Sequence, residues 1–284
     1  MKVCLPYRGE FGFNVMMHAP MVNAIEGPKV VVCERGNEAL YPTAAEIIHV
    51  GRRPDEDRRA RMESEMLERW IINNEGALLH RYGIIQWVYP DHDAPRKYFV
   101  PSPLRPTPLA DAEVPEIVLC PRDRFYGSDK NWPHWKELSF ALAATGRSTV
   151  AVGAPDSSKA LGCPCLWEGE QYTYLDETLA AMLQAKLVIA TDAGLAHLAV
   201  QCGARVLLIT HGDGLVAPGA DDKGKPYWSV MWERFRAENH TLSPIYAIHN
   251  AWEDMNVTLD AILGLLKGES VSGLLLMDGT ERLF

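Results

Sequence analysis

TDAGLAHLAVQCGARVLLIT, residues 191–210, decides the fold. The apolar run LVIA (187–190) comes just before it, and it ends on a second run, RVLLI (205–209). Each run has the length and apolar character of a buried strand, and residues 194–202 between them read as a helix. A strand, a helix and a strand in this short compass form a βαβ unit, and βαβ units build parallel sheets. The junction itself, Asp192-Ala193-Gly194-Leu195-Ala196-His197, has two readings. In one, Asp192 caps the helix and His197 packs against its neighbours. In the other, the first helical N–H groups, which lack internal partners, hold a phosphate, and Gly194 clears the approach.

The same alternation extends on both sides. In the second half, EIVLC (116–120), STVAV (148–152), LVIA and RVLLI are strands, while 133–145, 175–185, 194–202 and 257–267 are helices. Pro133 suits the first turn of its helix, and Gly146 follows that helix. Thr173 and Asp176 have the spacing of a capping box, and Asn256 is the expected cap of the last helix. In the first half, 2–5, KVVVC (29–33), IIHV (47–50) and IIQWV (84–88) are strand-like. Residues 14–25 read as a helix capped by Asn14, and 55–73 as a charged helix. Seven prolines fall between 90 and 115, a density that neither helix nor sheet tolerates. An extended linker is expected there. The fold class is therefore α/β, with two Rossmann-like domains, residues 1–105 and 106–284, facing a cleft.

Composition fits a soluble globular chain: 284 residues, 47% hydrophobic and 23% charged. The net charge of −9 argues against general affinity for nucleic-acid backbone. The arginines at 52, 53, 58, 59 and 61 are interleaved with acids, so they read first as a solvated helix face and second as a patch for an anionic acceptor. The six cysteines include no C-x-x-C pair, and Cys163-Pro-Cys165 is too isolated for a zinc site. Thiols at strand positions point to a reducing, cytoplasmic setting. No signal peptide and no membrane-spanning run is expected.

A second junction carries cations. PRDRFYGSDKNWP (121–133) follows EIVLC and puts Arg122, Arg124 and Lys130 on the same carboxyl edge as Asp192. His211-Gly-Asp-Gly214 follows RVLLI on that edge and reads as a pocket loop near the donor base or sugar. The loop 218–228 reads as a mobile lid, and Asp221-Asp222 within it as a solvated turn rather than a metal motif.

The order of these pieces, with Lys130-Asn-Trp132-Pro133, STVAVG and Asp192-Ala-Gly194-Leu-Ala-His197-Leu-Ala199, resembles the nucleotide-binding half of glycosyltransferase family 9. These are the ADP-heptose:lipopolysaccharide heptosyltransferases of GT-B fold, and the resemblance covers about residues 115–267. It implies a nucleotide-sugar donor as substrate, no resident cofactor and no metal. Lys130 would contact the diphosphate, with Arg122 beside it. Asp192, Ala193, Gly194 and His197 would line the donor-phosphate pocket, and Leu195 and Ala196 would supply backbone N–H groups.

In the family, an aspartate six residues before a proline of the first helix serves as general base. Here the proline is Pro20 and that position holds Asn14, which cannot accept a proton. Glu10 is the nearest carboxylate able to replace it. The implied activity is transfer of a sugar to a hydroxyl acceptor, most simply a surface glycan or lipopolysaccharide core. The alternatives are transfer to a hydroxymethylated base in DNA, a non-catalytic nucleotide-sugar binder, and a GT-B sugar-nucleotide epimerase.

Overall fold

The computed structural model describes residues 1–7, 14–50, 61–89, 104–123, 131–153, 162–166, 175–210, 235–236, 243–248, 252, 254–269, 271, 274–277 and 281–283. They fall into two compact units, Met1–Leu104 and Arg105–Phe284.

The first unit is a sheet of β1 (Lys2–Cys4), β2 (Lys29–Glu34), β3 (Glu46–Val50) and β4 (Gln86–Val88), in the order β3-β2-β1-β4. All three pairings are parallel. Val30, Val31 and Val32 are wholly buried, as the unbroken apolar run of β2 requires of a strand covered on both faces. Among the described residues, two α-helices accompany the sheet, α1 (Ala19–Ala24) and α2 (Arg61–Tyr82). Leu78 and Trp70 of α2 pack on Val3, Val30 and Val32.

Two sequence expectations change here. The single helix over 14–25 is a π-helical turn, Asn14–His18, followed by α1. Pro20 has no N–H to donate to the carbonyl of Met16, so a regular α-ladder cannot run through this point. Asn14 does not cap: its side-chain oxygen instead accepts a hydrogen bond from the Tyr41 hydroxyl. Of the charged helix expected over 55–73, residues 55–60 lie outside the described residues; from Arg61 it runs on to Tyr82, because burial of Leu78 carries it beyond the charged stretch.

The second unit holds β5 (Ile117–Cys120), β6 (Thr149–Ala151), β7 (Leu187–Ala190), β8 (Val206–Ile209), β9 (Ile245–Ile248), β10 (Leu274–Met277) and β11 (Glu281–Leu283). Among the described residues, its helices with both ends given are α3 (Trp135–Ala144), α4 (Leu175–Gln184), α5 (Gly194–Cys202) and α6 (Met255–Lys267). The strand order is β11-β10-β9-β8-β7-β5-β6. From β6 to β9 the sheet is parallel, and β10 and β11 add an antiparallel margin. Ile117, Leu119, Leu187, Ile189, Leu207 and Ile209 form its core with Leu138 and Leu142 of α3 and Ile262 of α6.

α5 spans the residues expected of it and stops at Gly203, whose φ of 89° only glycine adopts freely. α3 starts at Trp135, two residues beyond Pro133. α6 is capped by Asp254, whose carboxylate accepts from the Asn256 N–H, so the cap lies two residues before the expected Asn256. Asp176 bonds the Thr107 N–H; its expected capping partner, Thr173, lies outside the described residues. The proline-rich stretch is not a free linker over its described part. Leu109 exchanges two hydrogen bonds with the Gln184 side chain, at 2.7 and 3.3 Å, and so docks on α4. The Cys163-Pro-Cys165 segment bridges the outer edge of β6, where Ala151 bonds Pro164 and Leu166.

Candidate functional site

Numbered along the chain, the five parallel strands of the second unit lie in the order 2-1-3-4-5. Strands β5 and β7 are neighbours, yet the chain leaves them for opposite sides of the sheet. Ligands of open α/β sheets bind at the carboxyl ends of the strands at such a switch point. The register there is explicit. Cys120 of β5 is opposite Ala190 of β7, and Ala190 is opposite Leu208 of β8. Arg122, Asp192 and Thr210, each two residues past those positions, therefore leave three adjacent strands at the same height.

Past Ala190 comes Thr191, buried, and then Asp192. Ala193 is the N-cap of α5, in extended conformation, and offers no capping side chain. The Ala193 carbonyl accepts from the N–H groups of Ala196 at 2.9 Å and His197 at 3.4 Å. Among the described residues, no backbone carbonyl accepts from Gly194 or Leu195. Residues 192–195 are partly exposed, whereas 196–202 are buried. The accessible end of α5 thus presents N–H groups with no backbone acceptor among the described residues and the positive end of a helix dipole, equivalent to roughly half a charge. Such a corner takes an anion.

His197 lies behind this corner rather than in the open. It is 3% exposed, its ring stacks on Phe235 with centroids 4.4 Å apart and planes 13° apart, and its Nε2 is 3.6 Å from Asp192 Oδ1. Asp192 therefore stands beside the imidazole, and Ala193, not Asp192, is the N-cap of α5. Arg122 is buried and donates to the Asn131 side chain, which ties together the two ends of 123–130. Lys130 and His211, expected on the same edge, lie outside the described residues, as do Arg124, Asp221, Asp222 and the loop 218–228.

In the first unit, Asn14 follows the carboxyl end of β1. It is buried and held by Tyr41, whose phenol burial pushes far above the usual range, so that it remains a donor. Its Oδ1 accepts that one bond, and an amide cannot act as a base. The His18 ring lies 5.6 Å from Tyr7 and 6.3 Å from Tyr41, in the same π-helical turn as Asn14. Glu10 lies outside the described residues.

Phe235 and Tyr41 carry no signal in the sequence, since each acts through a partner 27 or more residues away. Among the described residues, no group of three or more His, Cys, Asp or Glu side chains could hold a metal ion, and no helix is long and apolar enough to cross a membrane.

Comparison with known proteins adds to this geometry. E. coli ADP-heptose LPS heptosyltransferase II is similar to this chain at 15% identity, over 94% of this chain and 99% of that one, with a TM-score of 0.52. A family 9 glycosyl transferase from Veillonella parvula DSM 2008 has 12% identity over 95% and 90% of the two chains, with a TM-score of 0.49. E. coli heptosyltransferase WaaC with ADP-2-deoxy-2-fluoro heptose has 18% identity over 78% and 91%, with a TM-score of 0.40. The first of these likenesses shows the fold, α/β of the GT-B class. No curated protein matches by sequence. The model of glycosyltransferase family 9 (heptosyltransferase) matches residues 63–209, from within α2 to the end of β8, and so takes in Arg122, Lys130 and the start of α5. That match spans more than half of the sequence, and the chain belongs to glycosyltransferase family 9: it is a glycosyltransferase.

Proposed function

We propose that this enzyme transfers a heptose-type sugar from a nucleoside-diphosphate donor, ADP-heptose, to a hydroxyl of a lipopolysaccharide core or related surface glycan, in the cytoplasm. The observation that carries the reading is the accessible start of α5 at the switch point between β5 and β7. Residues 106–284 would hold the donor, and residues 1–105 the acceptor. The departing diphosphate gains charge as the glycosidic bond breaks. The N–H groups of Gly194 and Leu195, with Arg122 and Lys130, would stabilise that charge, whereas the N–H of Ala196, expected to join them, is already bonded to the Ala193 carbonyl; dipoles fixed in advance of the reaction commonly contribute more to catalysis than any other effect. Asp192, Ala193 and His197 would shape the pocket floor, and His211 would sit near the base or sugar. The donor is a substrate, and the reading needs no resident cofactor.

The acceptor hydroxyl must lose a proton, and Asn14 cannot take it. Glu10 is the base in this reading, and Asn14 holds the acceptor through its amide. The net charge of −9 weighs against a nucleic-acid acceptor. The test has two stages. ADP at about a hundred times its Kd should raise the Tm by about 5 °C, whereas CMP should not. Glu10→Ala should then lower turnover of ADP-heptose on heptose-free lipopolysaccharide by about a hundredfold or more, with ADP affinity unchanged. Failure of ADP, UDP and GDP alike to stabilise the protein would overturn the donor pocket. Full turnover by Glu10→Ala would overturn the base.

A further inference from the structure

We infer that Thr191 is a donor-binding residue, its hydroxyl donating to a phosphate oxygen of a nucleoside diphosphate seated at the start of α5. The inference rests on the donor reading above and adds to it a side chain outside the D-x-G-x-x-H run. Thr191 is 1% exposed, and its Oγ1 is fully buried with no hydrogen-bond partner. Buried hydroxyls in folded proteins are almost always bonded, because removing one from water without replacing its hydrogen bond is unfavourable. An orphan therefore calls for an explanation, and its position supplies one. Thr191 follows the last residue of β7 and stands two residues before the N-cap Ala193. Two residues of extended chain span about 7 Å at most, so the Cα of Thr191 lies within about that distance of the N-cap of α5.

Asp192 aside, whose carboxylate lies toward His197, the groups gathered at that corner share one polarity. The N–H groups of Gly194 and Leu195 are donors with no backbone acceptor among the described residues, and the Thr191 hydroxyl has no acceptor either. The N-cap residue, which in most helices supplies an oxygen, is an alanine here. What the corner lacks is an acceptor of several hydrogen bonds, and the oxygens of a phosphate group are that. Thr258 provides the contrast. Its hydroxyl is also buried without a partner, but it belongs to α6 and not to the start of α5.

The experiment is a calorimetric titration of the intact protein with ADP, together with Tm values for the apo forms, on wild type, Thr191→Val, Thr191→Ser and Thr258→Val. Thr191→Val should bind ADP about tenfold more weakly, the order expected for one hydrogen bond to a charged group, with its apo Tm unchanged or higher. Thr191→Ser should stay within about twofold of wild type. Thr258→Val should match Thr191→Val in Tm and wild type in affinity. Thr191→Ala offers a second test should valine disturb the strand end, with the same loss expected. Wild-type affinity in Thr191→Val or Thr191→Ala overturns the inference while leaving the donor reading intact. A wild-type protein that binds neither ADP, UDP nor GDP overturns both.

Discussion

Tyr41 holds Asn14: the phenol donates to the Asn14 side-chain oxygen at 2.9 Å, and both residues are buried. The bond crosses from the turn after β2 to the turn after β1, and so ties two strand ends together at the carboxyl edge of the first sheet. Replacing Tyr41 with phenylalanine leaves the Asn14 oxygen buried without a donor. The first unit should lose about 1–3 kcal/mol of stability, measured by urea unfolding. A loss below about 0.3 kcal/mol would show that water replaces the phenol freely.

The stack of His197 on Phe235 should behave as a coupled pair. Phe235→Ala should cost about 3 kcal/mol or more, as truncation of a buried aromatic does. A double-mutant cycle with His197→Ala should return a coupling of about 0.5–1.5 kcal/mol. Additive losses would mean that the two rings touch without supporting each other.

Alkaline pH should destabilise the protein through its buried thiols. Burial pushes Cys33 from an ordinary value near 9 to about 12, Cys202 to about 12 and Cys4 to about 11. Between those values the unfolded chain has lost its thiol protons and the folded chain has kept them. Stability is therefore fully present below pH 9 and declines as pH rises toward 12. Urea midpoints at pH 7.5, 9 and 10.5 (about one and a half units apart) should fall in that order, and Cys33→Ala should flatten the decline. A midpoint constant across this span would contradict the burial of these thiols.

Gln184 should anchor the described part of the proline-rich stretch. It exchanges hydrogen bonds with both the N–H and the carbonyl of Leu109. Gln184→Ala should cost about 1 kcal/mol and hasten proteolytic cleavage near residues 105–110, read by mass spectrometry. Unchanged cleavage would show that packing alone holds the segment.

Much of this architecture can be read in the residues, because the decisive elements are local. Val30–Val32 and Leu187–Ala190 announce buried parallel strands by their unbroken apolar character. Residues 194–202 form a helix with a legible stop, because Gly203 suits its left-handed end. What stays hidden depends on side-chain partners that only the packed fold selects. Asn14 looks like a cap until Tyr41 claims its oxygen. Asp192 looks like a cap too, but its carboxylate faces His197 instead. The orphan hydroxyl of Thr191 shows only once the surrounding packing is in place. β9, β10 and β11 escape notice because short apolar stretches such as Ile245–Ile248 become strands only when a neighbour supplies the ladder.

The two antiparallel strands at the margin of the second sheet guard it. β10 covers the row of peptide groups that β9 would otherwise turn outward, and β11 in turn covers β10. Shortening the chain just after α6 would uncover that row, and exposed strand edges recruit one another. Such a truncated protein would keep every residue of the α5 corner and still be lost to self-association.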